Sequence, residues 1–386
     1  MLFSTFQDKL QQLQILISMK LSLLSDNLQK KISFLNHAVS LRGQLPILSN
    51  FLLEAKNGKL IISATDLEIG ISSSIAVNIE TEGRTTIPAK NFSDLLTNLG
   101  SQKITLSLDK DTLTLKGEKI NASFQTMPAE DFPKLYEEKG EELTTLKKNE
   151  IEENVLRVVF AAAQDSGRPA LSGVLLDEDK KEITLVATDG VRLSLQRNVF
   201  RTKEGLRKPI VVPARIIREL LSIKEDEELV RVFVSEENNQ ILFAQGETTL
   251  VGRLIGAEYP DYQKIIPQSF DTKIDIGRDE LLNAIKICSV FARETANIIK
   301  FTIKKEKIIV SANSPSVGED NVEVEAKTSG EENEIAFNAK YLLDVLAAVN
   351  KEDLVFEMTG PLNPGVFKIK NDETFLHLIM PIRVQG

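Results

Sequence analysis

The sequence predicts an α+β fold made of three tandem copies of one domain, each with antiparallel sheets outside and two helices inside. Three recurring markers carry that prediction. Pro88-Ala89-Lys90, Pro213-Ala214-Arg215 and Asn338-Ala339-Lys340 stand at equal intervals (213 − 88 = 125; 338 − 213 = 125), each between an apolar strand end and a helix-like run. Ala64-Thr65-Asp66, Ala187-Thr188-Asp189 and Ala312-Asn313-Ser314 follow the strand-like segments KLIIS, EITLV and KIIVS. Thr126-Met127-Pro128, Leu254-Ile255-Gly256 and Ile379-Met380-Pro381 close the three units in the same order. The repeat is far longer than the roughly 20–50 residues of a solenoid unit. It divides the chain into domains 19–140, 145–268 and 272–384, behind an N-terminal extension of residues 1–18.

Each element has a local reason. In the first repeat, helices are expected over 25–39 and over 89–99, where NFSDLLTNL follows the proline marker. The segments KITLSL, TLTLKG and INASFQ alternate with the period of two of half-buried antiparallel strands. The second repeat places helices over 149–163 and 214–223, and the third over 278–292 and 339–349. Proline suits the first helical position because its missing N–H would be unpaired there. Glu150, Glu152, Asp279 and Glu280 lie at helix starts, where the macrodipole favours them. The polar runs KGEELTTLKK and PQSFDTK read as linkers.

Composition narrows the function. At 386 residues the chain is too long for one compact core. One cysteine, Cys288, excludes a disulfide framework or a multi-cysteine zinc site. Two histidines, His37 and His377, leave little for metal sites or catalytic triads. No cofactor and no metal are expected, His37 and His377 read as structural, and Cys288 reads as a small buried apolar residue. No window reaches the ~18 apolar residues of a membrane span. The first eighteen residues lack the basic head and small-residue cleavage site of a secretory signal, so a cytoplasmic location is expected. With tryptophan absent and aromatics at 6%, stacking platforms for single strands are thin.

A triplicated domain forms either a linear array or part of a ring, since head-to-tail interfaces close when the rotation per step divides a circle. Two such chains would make six domains lined by helices. A ring of that kind holds its ligand by topology, needing only mild attraction to phosphates and no base readout. Net charge is −9, yet Lys30, Lys31, Lys90, Arg157, Arg215, Arg218, Arg278, Lys286, Arg293 and Lys340 in and beside the helices are matched there by as many acids. The bland reading of those charges is a solvated helix face.

The segments LPILSNFLLEAKNGKLIISATDLEIGI (45–71), TTIPAKNFSDLL (85–96), MPAEDFPKL (127–135), VATDGVRLSL (186–195), YPDYQKIIP (259–267), YLLDVLAAV (341–349) and LIMPIRV (378–384) resemble the bacterial DNA polymerase III beta subunit, the sliding clamp. The resemblance runs from Met19 to Val384. It implies three DNA-clamp domains per chain and a homodimer closed as a six-domain ring around double-stranded DNA. Such a ring is opened by an ATP-driven loader and tethers the replicative polymerase, with no catalytic residue of its own. Partners implied are the DNA polymerase III alpha subunit, the clamp loader delta subunit, and other polymerases and repair proteins. No membrane is involved.

The resemblance also implies site residues. A partner-peptide cleft would be lined by Leu171, Thr188, Gly190, Val191, Arg192, Leu193, Pro267, Leu378, Met380, Pro381, Ile382 and Arg383. Leucine and phenylalanine anchors of an extended peptide would enter it, and methionine suits a surface with several partners. Asp189 reads instead as part of a turn common to the fold, since Asp66 recurs in the first repeat. Val191 stands where the family often has histidine, which makes the rim more apolar. Arg42, Lys90, Gln164, Arg168, Arg215 and Lys340 would face DNA, although Pro169 and Ala170 replace aromatic positions the family can show. At the subunit contact, Ala122 and Phe124 would meet Val290 and Phe291, with a plain core role as the other reading of Phe291. Gln385 and Gly386 extend past the family's usual end.

Two other readings compete. A non-enzymatic protein-binding adaptor of tandem α+β domains would enclose no DNA. A hydrolase or transferase would use a carboxylate such as Asp66 or Asp189, but has no nearby histidine or glycine-rich phosphate loop.

Overall fold

The structure, a computed structural model, describes residues 18–40, 45–165, 167–316, 318–350 and 353–383. The first repeat contributes β1 (Ser18–Leu24), β2 (Asn50–Lys56), β3 (Lys59–Thr65), β4 (Ile69–Ala76), β5 (Asn78–Thr81), β6 (Gly83–Pro88), β7 (Lys103–Asp109), β8 (Thr112–Lys116) and β9 (Asn121–Gln125), with helices α1 (Ser25–Leu35) and α2 (Ala89–Leu99). The second contributes β10 (Glu141–Lys147), β11 (Gly173–Asp179), β12 (Glu182–Thr188), β13 (Arg192–Gln196), β14 (Ile210–Pro213), β15 (Leu229–Ser235), β16 (Gln240–Gln245) and β17 (Thr248–Arg253), with α3 (Lys148–Leu156) and α4 (Ala214–Ser222). The third contributes β18 (Thr272–Ile276), β19 (Ile298–Ile303), β20 (Lys307–Ser314), β21 (Gly318–Gly330), β22 (Asn333–Asn338), β23 (Leu354–Met358), β24 (Gly365–Ile369) and β25 (Phe375–Ile379), with α5 (Arg278–Ala292) and α6 (Ala339–Ala348).

The described residues pack as two compact units, one of 18–148 with 218–254, the other of 149–217 with 255–383. Every strand pair is antiparallel, which the short alternating strands call for. The first unit holds a five-stranded sheet, β5-β1-β7-β8-β9, and an eight-stranded sheet, β10-β15-β16-β17-β4-β3-β2-β6. The second holds one of twelve strands, β14-β11-β12-β13-β25-β24-β23-β18-β21-β20-β19-β22. The second repeat's strands are therefore divided. Four continue the first repeat's sheet through β17 and β4, and four continue the third's through β13 and β25.

Within the second unit the largest core gathers Ile285, Cys288, Leu342 and Leu346 from α5 and α6 with Phe301, Phe337, Phe356 and Phe367 from the strands. The Phe337 and Phe356 rings meet edge to face at 6.0 Å, and Gly365 lies under both. A Cβ there would stand 2.5 Å from Phe337 Cζ and 2.6 Å from Phe356 Cε2, so only glycine lets β24 approach. Cys288 is buried, and its burial, followed by the nearby Asp320 carboxylate, pushes the thiol up to about 12. In the first unit, polar links join the two repeats: His37 Nδ1 to Glu219 at 2.6 Å, Lys59 to Glu247 at 2.9 Å, and Lys31 to Glu225.

The helix expected over 149–163 stops at Leu156. Val158 leaves helical backbone (φ −123°, ψ −46°) and a 3-10 turn spans Val159–Ala161. Val158, Val159, Ala161 and Ala162 are all buried, and a run without a polar face packs on more sides than an amphipathic helix offers. The helix expected over 25–39 likewise ends at Leu35 and gives way to a 3-10 turn, Asn36–Ala38. Pro88 and Pro213 close strands one residue before their helices rather than opening them. In the third repeat Asn338 does the capping directly, its side-chain oxygen accepting from the Lys340 N–H at 2.9 Å.

Candidate partner cleft and nucleic-acid face

The turn between β12 and β13 is built by side chains on their own backbone. Thr188 Oγ1 donates to the Arg192 carbonyl (2.6 Å) and accepts from the Gly190 N–H (3.0 Å). Asp189 Oδ1 accepts from the N–H groups of Val191 (2.9 Å) and Arg192 (3.0 Å). Gly190 takes φ +92°, a left-handed conformation that glycine adopts without cost. The first repeat makes the same turn: Thr65 bonds Ile69 and Leu67, and Asp66 accepts from Glu68 and Ile69. Leu67 is held there at φ +76° in glycine's place. Asp66 and Asp189 thus act as turn residues.

The turn and the end of β25 together form an apolar rim. The Met380 N–H donates to the Val191 carbonyl at 2.8 Å, and both side chains are exposed. Beneath them Leu193 and Leu378, buried and directly paired across β13 and β25, belong to a cluster with Leu175, Val186, Tyr262 and Leu376. The segment 255–270 covers that cluster with Ile255, Tyr259, Ile266 and Phe270. Tyr259 donates toward the Val186 carbonyl at 3.4 Å, and burial raises its phenol above the ordinary range. Ile265, from the same 255–270 segment, is also exposed, at 42%. Leu171 and Thr188 are buried, Gly190 and Arg383 exposed, and Pro381 and Ile382 half-buried. Pro267 lines a cavity of 1010 Å³ with Leu195, Ile266, Phe270, Leu376 and the Glu357–Lys368 ion pair.

Arg192 is 6% exposed and forms a buried strut. Nε donates to Asp189 Oδ2 (3.0 Å), Nη1 to Asp344 Oδ2 (2.6 Å) and Nη2 to the Phe160 carbonyl (3.0 Å). Its guanidinium stands 4.5 Å from the Tyr341 ring centre and 5.5 Å from that of Phe160. His377, fully buried on β25, lies 5.1 Å from the Phe160 ring, and neither nitrogen has a partner among the described residues. Burial, then the Arg192 charge, holds its imidazole well below the usual value, so it stays neutral.

Lys90, Arg215 and Lys340 are exposed, and each is the second residue of its helix, α2, α4 and α6. Gln164 is exposed. Arg168 is exposed too, but its Nη2 donates to the Asp189 carbonyl at 2.9 Å and its guanidinium lies over Gly190, against the cleft turn. Arg42 lies outside the described residues, as do Gln385 and Gly386.

Strand β9 is an edge of its sheet, with Ala122 and Phe124 half-buried and Phe124 edge to face with Phe92 at 5.7 Å. On α5, Val290 (54%) and Ile287 are exposed, while Phe291 packs partly on the large core. Residues 318–325 of β21 pair with β20 on one side, and β18 takes up only 326–330. Tyr259, Ile265 and Ile287 were not singled out from the sequence. The YPDYQKIIP motif held the signal for the first two, and nothing in the α5 pattern marked Ile287. Among the described residues no His, Cys, Asp and Glu cluster is placed to hold a metal, and no helix is long and apolar enough to cross a membrane.

Residues 19–136, 145–261 and 263–383 match, in order, the N-terminal, central and C-terminal domain families of the DNA polymerase III beta subunit. The chain is similar to the beta sliding clamp of Bacillus subtilis, 29% identical over 378 residues, covering 95% of this chain and all of that protein. Among solved structures it is similar to the DNA polymerase sliding clamp of Bacillus subtilis, with a TM-score of 0.90 at 28% identity over 95% of this chain and all of that one. It is also similar to the sliding clamp of Bartonella birtlesii solved bound to griselimycin, with a TM-score of 0.89 at 27% identity and the same coverage. Three consecutive domain matches across nearly the whole length establish that the chain belongs to the DNA polymerase III beta subunit family, the sliding clamps.

Proposed function

We propose that two copies of this chain close head to tail into a six-domain ring that encircles duplex DNA and tethers the replicative polymerase. The observation that carries this is the run of three clamp domains, matched end to end in family order. We take the domain limits from the sequence repeats, 19–140, 145–268 and 272–384, beside family matches at 19–136, 145–261 and 263–383. The edge strand β9, with Ala122 and Phe124, and the exposed Val290 beside Phe291 on α5 are the surfaces that join the copies. An open edge readily adds a strand from another chain.

Lys90, Arg215 and Lys340, with Gln164, face the DNA. Each of the first three is a cation in a helix's first turn, where the macrodipole opposes positive charge. Its recurrence in all three repeats supports selection for phosphate. The exposed Val191, Met380 and Ile265, over the buried Leu193 and Leu378 and with Leu171, Thr188, Gly190, Pro267, Pro381, Ile382 and Arg383 around them, take an extended peptide by leucine and phenylalanine anchors. Arg168 caps the same turn and serves the cleft. The DNA polymerase III alpha subunit, the clamp loader delta subunit and other polymerases and repair proteins bind there. The chain works in the cytoplasm, holds no catalytic site and acts by raising the effective concentration of polymerase at its template.

Light scattering at micromolar concentration tests the ring. The subunit is 43.0 kDa, so the dimer should read 2 × 43.0 = 86.0 kDa. Once loaded, it should stay on nicked circular DNA through a salt wash and run off the same DNA linearised. A 43.0 kDa monomer, or equal retention on both DNA forms, would favour the adaptor reading instead.

A further inference from the structure

We propose that Asp344 on α6 is a positioning residue for the peptide cleft: acting through Arg192, it sets where the Gly190–Val191 turn stands against Met380. This rests on the cleft assignment above and adds a residue outside the segments that form it.

The contacts run in one unbroken series. Asp344 Oδ2 accepts from Arg192 Nη1 at 2.6 Å, and Tyr341, one turn earlier on α6, lies against the same guanidinium at 4.5 Å. Arg192 Nε holds Asp189 Oδ2 at 3.0 Å, while the other oxygen of that carboxylate holds the Val191 and Arg192 N–H groups. The Val191 carbonyl then takes the Met380 N–H at 2.8 Å. Moving the guanidinium therefore moves Asp189, the turn and the rim. Three directed hydrogen bonds and two ring faces leave the guanidinium one position, a constraint that a lysine ammonium would not reproduce.

The first repeat builds the same turn from a different residue at the matching position. Its turn closes with the same Thr65 and Asp66 bonds, and the Arg253 N–H reaches the Glu68 carbonyl at 3.0 Å as Met380 reaches Val191. Ile69 stands where the second repeat has Arg192, so that turn carries no arginine at this position. The buried arginine, with its anchor on α6, occurs at the turn that borders the cleft. A buried charge costs stability unless it is fully paired, and Asp344 completes that pairing from α6.

The test is fluorescence anisotropy of a fluorescein-labelled extended peptide carrying leucine and phenylalanine anchors, titrated with full-length protein. Met380→Ala should weaken binding at least fivefold, which checks the cleft itself. Asp344→Ala should weaken it three- to tenfold, with Tm within a few degrees of wild type because the Asp344 side chain is 31% exposed and water can take its place. Asp344→Asn, which keeps an acceptor, should recover part of the loss. Asp344→Ala added to Arg192→Met should cost nothing beyond Arg192→Met alone. If Met380→Ala weakens binding and Asp344→Ala does not, or if the two losses add, the positioning role is overturned and the cleft stands. If Met380→Ala binds as wild type, the cleft assignment falls first. Should Arg192→Met fail to fold, the Asp344→Ala and Asp344→Asn pair still decides.

Discussion

His377 stands on β25 with its ring wholly buried beside Arg192 and against Phe160, and its neutrality has a measurable consequence. The folded protein resists protonating it, whereas the unfolded chain titrates it near about 6.5. Below that pH the unfolded state binds the extra proton. The residue's contribution is thus complete above pH ~6.5 and is lost as pH falls, by about 1.4 kcal/mol per unit, until the folded pKa is reached. His377→Leu should lose less Tm between pH 7 and 5 than wild type, and parallel curves would count against a buried neutral imidazole. The structural role of His377 and the turn role of Asp189 were both legible in the sequence. The strut made by Arg192 was not, because its partners Phe160 and Asp344 lie 32 and 152 residues away. Gly365, which no sequence marker singled out, admits no side chain: Gly365→Ala should lower stability by about 1–3 kcal/mol through overpacking, read as a drop in Tm.

At the scale of elements, all six expected helices are present among the described residues, and periodicity located them because each has one apolar face. The one seriously overrun, 149–163, failed where that face disappears into a run buried throughout. The hairpin strands of the first repeat were equally plain, since β7 and β8 alternate buried and open positions. Sheet membership was not legible: nothing local says that β17 pairs with β4 or β13 with β25. Helix α5 carries the subunit-contact prediction. Val290 is 54% exposed, so Val290→Glu should leave the chain folded while shifting the solution mass from 86.0 toward 43.0 kDa. Phe291, half-buried on the core, is the poorer probe, because a charge there would disturb the fold as well. An unchanged mass for Val290→Glu would move the contact elsewhere.

Over the whole molecule, electrostatics and topology make separable contributions to DNA retention. Replacing Lys90, Arg215 and Lys340 with alanine takes the net charge from −9 to −9 − 3 = −12. Affinity for short linear duplexes should then fall and its dependence on salt become shallower. Retention of the loaded protein on nicked circular DNA should barely change, and a parallel loss on circles would mean that the ring grips rather than encloses. The division of the second repeat between two sheets has a further consequence, for dissection of the chain. Its eight strands own no complete sheet, and excising residues 145–268 would strip β17 and β13 of their partners at once. Two newly bared edges are a template for uncontrolled self-pairing. The three sequence repeats are thus not three autonomous folding modules, and the middle one, expressed alone, should precipitate.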